Sequence, residues 1–415
     1  MSHQGLGNAN SFSITRLPRI EFGRGKFLLL AEIIKPYGDN VLLITGKSSF
    51  SKTKHWNELL KLFQVNNIHW THISILSEPS PARVDEIVAT HADKEIDVVL
   101  AIGGGSVLDA AKAVAGLIKN QQSVLDFLEG VGPELDYTGP SIPFIALPTT
   151  AGTGSEVTKN AVLGVVGKKG FKKSFRDESL LAEVAIIDPE LLANCPPALI
   201  AANGMDALTQ LIESFVSSKS NPLTDALIIA TLPNIGKSLL SWFENVGDIE
   251  TAQNDLAFSA MISGITLAQV GLGSVHGLAS PLGAYFSIPH GVACGSLLAA
   301  ATAVNIQAMR EREPNNTALE KYARISTLLT AKLYDSDEQA QRALIDVLIQ
   351  WTQVLNIPSL NSYGLTERDL SHIVANSRGS SMKTNPIELK DEEIASILIK
   401  SITHMRPSHE KYGYH

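Results

Sequence analysis

The hydrophobic period of this chain switches once, near Pro196-Pro197, and the switch restricts the fold more than any single motif. Ahead of it, short β-branched runs alternate with amphipathic segments. Residues 41–45, 73–76, 97–102, 142–147 and 184–187 read as buried strands, and residues 54–63, 83–92 and 107–118 as helices. Such alternation predicts a mostly parallel sheet covered by helices. Past the switch, strand signals almost vanish. Residues 201–217, 222–242, 252–268, 295–309, 320–333, 340–355 and 391–403 repeat their apolar positions at helical spacing. The expected organisation is an α/β domain over 1–193 followed by an all-helical domain over 194–415, with no internal repeat.

At 415 residues the chain has room for about two domains. Its net charge of −8 and lack of a basic tract argue against nucleic acid as a partner. The opening Met1-Ser2-His3-Gln4-Gly5 lacks the layout of a secretory signal. The longest apolar runs, such as 297–304, read as too short to span a membrane. Cys195 and Cys294 make no disulfide framework, so a reducing cytoplasm is the expected compartment.

Two turns invite a dinucleotide. Gly103-Gly104-Gly105-Ser106 closes the clearest strand and opens a helix, with Asp109 and Lys112 in that helix's first two turns. Glycines there let the backbone approach a pyrophosphate, and the helix start offers free N–H groups and a positive dipole end. The spacing is not G-x-G-x-x-G, and a plain turn is the alternative. The second turn runs through Thr149, Thr150, Thr153 and Ser155, a hydroxyl-lined loop suited to phosphate or ribose. Its alternative is helix capping by Thr153 or Ser155. Gly46, Lys47 and Ser48 end the first strong strand, where an acidic residue would hold the ribose hydroxyls of NAD. A glycine beside a cation leaves room for a 2′-phosphate, which favours NADP over NAD; a solvated turn is the alternative.

The second half carries a different signal. Asp206 and Gln210 are four apart on a predicted helix and point the same way. His276 and His290 follow in Val275-His276-Gly277 and Pro289-His290-Gly291. One carboxylate with two imidazoles is a ligand set of the zinc or ferrous type. Taken singly, Asp206 reads as a helix cap and each histidine as a satisfied core or surface residue. Together, after a nucleotide domain, they suggest alcohol–carbonyl redox chemistry.

On these segments the chain resembles the iron-containing (group III) alcohol dehydrogenases, almost end to end. The resemblance rests on 20–25, on the triple glycine with Asp109 and Lys112, on 148–158, on Gly204-Met205-Asp206-Ala207-Leu208-Thr209, on the segments around His276 and His290, and on Asn385-Pro386. It implies the architecture shared with dehydroquinate synthase-like proteins, an α/β nucleotide-binding domain before an all-helical metal- and substrate-binding domain, with the site in the cleft between. It implies NAD or NADP, an Fe2+ or Zn2+ ion, a small alcohol or aldehyde, and a homodimer or higher homo-oligomer. Asn160 and Lys172 look like the family's cofactor-contacting asparagine and lysine, with Lys173 the alternative for the latter. The family's metal ligands are an aspartate, a histidine four residues on, and two histidines fourteen apart, which Asp206, His276 and His290 match in part. Gln210 stands where the second ligand is a histidine, and is expected as a weak fourth ligand or an outer hydrogen-bonding group. Ser280 stands where the family tends to carry another histidine, so proton relay falls to Ser280, a cofactor hydroxyl or water. The implied mechanism is polarisation of the substrate oxygen by the metal and hydride transfer with the nicotinamide. A metal-independent reductase and a nucleotide-binding relative without hydride transfer are the competing readings. Lys383, brought near the cleft by the resemblance, suggests a short aldehyde with a polar or anionic end.

Overall fold

In the computed structural model, which describes residues 11–406, the buried strands of the first half pair into a single parallel sheet. In chain order the strands are β1 (Arg19–Phe22), β2 (Asn40–Gly46), β3 (His69–Ile75), β4 (Val98–Gly103), β5 (Phe144–Pro148), β6 (Asn160–Val165), β7 (Phe171–Arg176) and β8 (Val184–Ile187). The sheet runs β1-β8-β5-β4-β2-β3, every neighbouring pair parallel. Strands β6 and β7 form a separate antiparallel hairpin.

Alternation along each strand divides the core in two. Leu42, Ile44, Val99 and Ala101 face one apolar cluster, while Val41, Leu43, Val98, Leu100 and Ile102 face the other. Both faces are covered, so β4 is buried along its whole length and reads as a continuous apolar run. The covering helices are α1 (Leu30–Ile34), α2 (Lys54–Val65), α3 (Pro81–His91) and α4 (Gly105–Leu117). Helix α3 starts where the sequence dictates, with Ser80 accepting the Arg83 amide and Pro81 in the first turn. After β2 the chain goes to β3 on one side, then returns to β4 on the other. The direction reverses there, and a doubly wound sheet opens a crevice at the carboxyl ends of such strands. Gly46 and the triple glycine occupy those two ends.

The other unit comprises 197–406 with the lead-in 11–15, which the Thr15 amide ties down by donating to Gln269 Oε1 at 2.7 Å. Its helices are α5 (Pro197–Val216), α6 (Pro222–Glu244), α7 (Ile249–Val270), α8 (Ser274–Phe286), α9 (His290–Arg312), α10 (Ala318–Thr330), α11 (Asp337–Val354), α12 (Leu370–Asn376) and α13 (Asp391–Ile402). Asn221 and Thr224 form a reciprocal capping box at the start of α6.

Several elements escaped the sequence pattern, the short helices α1 and α12 among them. Helix α8 contains Gly277, Pro281 and Gly283, residues that read as breakers, yet it holds because it is buried among other helices. The β6–β7 hairpin is only partly buried, and β1 is four residues long. The reading of apolar runs also needs correction. Helix α9, 23 residues long and containing an 18-residue stretch of mean hydropathy 1.5, and helix α6 both have the length and composition of a membrane span. In α9 that character goes into the core of the unit, where 89% of its apolar stretch is buried.

Candidate functional site

Helix α5 sets Asp206, Gln210 and Glu213 on one buried face, at helical spacings of four and seven. Helix α8 brings His276 to that face, and α9 begins with His290 and carries Cys294 one turn later. Gly291 makes the approach of α9 feasible. A Cβ there would stand 2.3 Å from the Ala202 carbonyl oxygen, so only glycine lets α9 start directly against the α5 backbone.

Four ligand-type groups converge as a result. Asp206 Oδ1 lies 3.3 Å from His276 Nε2 and 3.6 Å from His290 Nε2. Cys294 Sγ lies 3.7 Å from His276 Nε2 and 3.8 Å from His290 Nε2. All four donor atoms sit within 4.8 Å of one another. Asp206 is 1% exposed and the His290 side chain 26%, so the cluster opens outward past His290. A carboxylate, two imidazoles and a thiol at such spacing suit a divalent transition ion.

Glu213, which the sequence reading missed, organises the cluster. Its Oε2 accepts from His276 Nδ1 at 2.6 Å, and its Oε1 accepts the Val275 amide at 2.7 Å. That contact orients the ring and aims Nε2 at Asp206. Burial opposes a charge on His276, but Cys294, Asp206 and Glu213 around it hold its pKa well above the ordinary histidine value. Burial also works against Asp206, but His290 and His276 outweigh it and keep the carboxyl below its usual range. Burial pushes the Cys294 thiol up to about 12.

Gln210, expected as a weak fourth ligand or an outer hydrogen-bonding group, bonds to Ser263 and to Asp206. Its carbonyl oxygen accepts the Ser263 hydroxyl at 2.7 Å, and its amide nitrogen donates to Asp206 Oδ1 at 3.3 Å. The Ser263 hydroxyl draws the oxygen away from the cluster. Ser280 sits one turn beyond His276 on α8, half-buried, and Lys383 is exposed.

In the α/β unit the two predicted turns meet. The start of α4 has no side-chain cap, and its Val107 and Leu108 amides bond to the Gly104 carbonyl at 2.9 and 3.1 Å. A Cβ on Gly104 would stand 3.2 Å from Thr150 Oγ1, and one on Gly105 3.0 Å from Thr153 Oγ1. The Thr149 amide donates to the Gly103 carbonyl at 3.0 Å. Ser106, Thr149, Thr150 and Thr153 are half-buried beside the turn, as is Ser48, while Lys47 is exposed after Gly46. Thr153 Oγ1 also accepts the Ser155 amide at 3.3 Å, the capping role weighed above.

Asp109 and Lys112 instead turn inward. The Asp109 carboxylate accepts the Ser155 hydroxyl at 2.6 Å and the Val162 amide at 3.2 Å. Lys112, fully buried, donates to Ser155 Oγ, Thr158 Oγ1 and the Asn160 carbonyl at 2.8, 2.9 and 3.0 Å. Asp109, expected among the cofactor contacts, braces the threonine loop from behind, because its oxygens are taken by the loop and by β6. Lys172 pairs with Glu78 at 2.7 Å.

Comparison with known proteins fits this arrangement. The profile of the family described as iron-containing alcohol dehydrogenase matches residues 18–189, and that of the Fe-containing alcohol dehydrogenase family, C-terminal, matches 200–402. The chain is 30% identical to alcohol dehydrogenase 4 of Schizosaccharomyces pombe, over 91% of this chain and 86% of that one. It is 32% identical to lactaldehyde reductase of Escherichia coli, over 84% and 88% respectively. Among solved structures, a 1,3-propanediol oxidoreductase superposes with a TM-score of 0.85 at 26% identity, over 94% of this chain and all of that one. Sulfoacetaldehyde reductase from Bifidobacterium kashiwanohense, in complex with NAD+, gives 0.81 at 26% identity, over 95% and 100%. The chain belongs to the iron-containing alcohol dehydrogenase family, and is an oxidoreductase that interconverts alcohols and aldehydes or ketones with a nicotinamide cofactor and a divalent metal.

Proposed function

We propose that the chain reduces a short aldehyde with a polar or anionic end, using NADPH and a divalent ion held through Asp206, His276 and His290. The observation that carries the metal assignment is the approach of both Nε2 atoms to Asp206 Oδ1, at 3.3 and 3.6 Å. When bound, the ion supplies Lewis-acid polarisation of the substrate oxygen, and the nicotinamide supplies the hydride. Asp206 neutralises part of the ion's charge, and Glu213 fixes the ring of His276. Ser280, where the resemblance leads one to expect an imidazole, offers a hydroxyl for proton relay and a smaller side chain, which widens the pocket.

The preference for NADP rests on Gly46 and the exposed Lys47 at the carboxyl end of β2. No carboxylate stands in that three-residue turn to repel a 2′-phosphate. Gly103, Gly104, Gly105, Ser106, Thr149, Thr150 and Thr153 would cradle the phosphates, with Asn160 and Lys172 beyond them. For the substrate, Lys383 is an exposed cation able to attract an acid group. A sulfoacetaldehyde reductase among the similar structures supports an anionic aldehyde. We place the enzyme in a reducing cytoplasm as a homo-oligomer; its two cysteines are unpaired thiols.

One experiment tests the reading: metal content of wild type and Asp206→Ala, with kcat/KM for NADPH and NADH on an anionic and a neutral aldehyde of similar size. Asp206→Ala is expected to emerge without metal, and wild type to favour NADPH and the anionic aldehyde. Metal retained by Asp206→Ala removes the ligand assignment, and a preference for NADH removes the cofactor assignment.

A further inference from the structure

The three ligands named above leave the ion short of a fourth. On α5 the Gln210 side chain bonds to Ser263 and Asp206. We propose that Cys294 on α9 is the fourth ligand, so that one carboxylate, two imidazoles and one thiolate hold the ion, Gln210 bonds to Asp206 outside it, and the substrate oxygen would join as a fifth ligand on the side that opens past His290. The proposal rests on the metal reading and extends it.

The distances carry the argument. Tetrahedral zinc with ordinary bond lengths has edges of about 3.3 Å between nitrogen and oxygen donors and about 3.6 Å between nitrogen and sulfur. The corresponding separations here are 3.3 and 3.6 Å from Asp206 Oδ1 to the two Nε2 atoms, and 3.7 and 3.8 Å from Cys294 Sγ to the same atoms. All four lie within about 0.3 Å of the tetrahedral values before any ion draws the groups inward. A cysteine serving only as a small core residue has no need to stand almost equally far from two imidazole nitrogens. Cys294 follows His290 by one helical turn, so both groups project from one face of α9.

Cys294 releases its thiol proton to solvent as the ion enters. The softer sulfur moves the preference toward zinc, cobalt and ferrous iron and away from magnesium and manganese.

The test is cobalt substitution of the whole chain after removal of its metal. Wild type is expected to take up one Co2+ and show a thiolate-to-cobalt charge-transfer band in the near ultraviolet. Cys294→Ser is expected to lose the band and to bind more weakly than an outer change does. Glu213→Gln, which alters only the orienting carboxylate, is expected to weaken binding about 10–100-fold while keeping the band. Cobalt bound to wild type without the band, or a band that survives Cys294→Ser, overturns the thiolate ligand and leaves the three-residue site standing. Failure of wild type to bind cobalt overturns both. Should Cys294→Ser not fold, X-ray absorption of the wild-type zinc protein decides: a sulfur neighbour at about 2.3 Å supports the assignment, and a shell of nitrogen and oxygen alone overturns it.

Discussion

Glu156 follows the threonine loop into the interior of the α/β unit, where it is buried close to Lys112. Burial moves its pKa from 4.5 up to about 7, against the pull of its own backbone and of Lys112. The sign follows from linkage. The folded chain holds the proton to higher pH than the unfolded chain, so stability falls as pH rises from the lower value to the upper one. The full penalty, on the order of 3 kcal/mol, is present above the folded pKa and absent below the unfolded one. Glu156→Gln is therefore expected to raise the urea midpoint at about pH 8 and leave it nearly unchanged at about pH 4. An equal effect at both would show that the carboxyl is not held protonated. At this scale the sequence revealed part of the chemistry. Asp206, His276 and His290 stood out only as a set, since each taken singly has an ordinary structural role. Cys294 was weighed only as half of a disulfide pair, although its place four residues after His290 was open to inspection. Glu213 looked like any helix glutamate, since nothing local says that it meets a histidine 63 positions away.

Among the elements, what could be read was what carries a strong period. The central strands are apolar on both faces and the long helices repeat regularly, so both were recognisable from the sequence. Helix α8 was not, because its glycines and proline spoil the pattern and its stability comes from neighbours rather than propensity. The hairpin β6–β7 turns through Gly167-Lys168-Lys169-Gly170 and is only partly buried, so its alternation is weak. The junction of α9 with α5 yields a prediction. Gly291→Ala places a methyl 2.3 Å from a backbone oxygen that cannot swing aside. Overpacking of this kind costs about 1–3 kcal/mol. The start of α9 should retreat, carrying His290 and Cys294 with it, so the variant is expected to melt earlier and to retain less metal. A lower melting temperature with unchanged metal affinity would show that the strain is absorbed without moving the helix start.

For the molecule as a whole, two units with separate cores predict unfolding in more than one step. The four ligand-type groups all lie in the helical unit, and the glycine and threonine turns in the other. A ligand stabilises what it binds by mass action. Removing the metal is expected to lower the transition of the helical unit alone, and adding NADPH to raise that of the α/β unit. Calorimetry with and without chelator checks this, and a single transition that shifts as one would show the units to be coupled. The sheet order was beyond the sequence, because the edge strand β1 pairs with β8 across most of the unit's length and no local pattern encodes such a choice. The depth of the cluster has one more consequence. His276 lies 70 positions from Asp206 in the chain, so the unfolded polypeptide has no assembled site, and in the folded one only His290 reaches toward solvent. Exchange is then confined to the one open side past His290, and an ion captured early leaves slowly. The metal found in purified protein will record which ion was abundant while the chain was being made, and growth in media of different metal content should yield enzyme preparations that keep distinct occupants through days of dialysis.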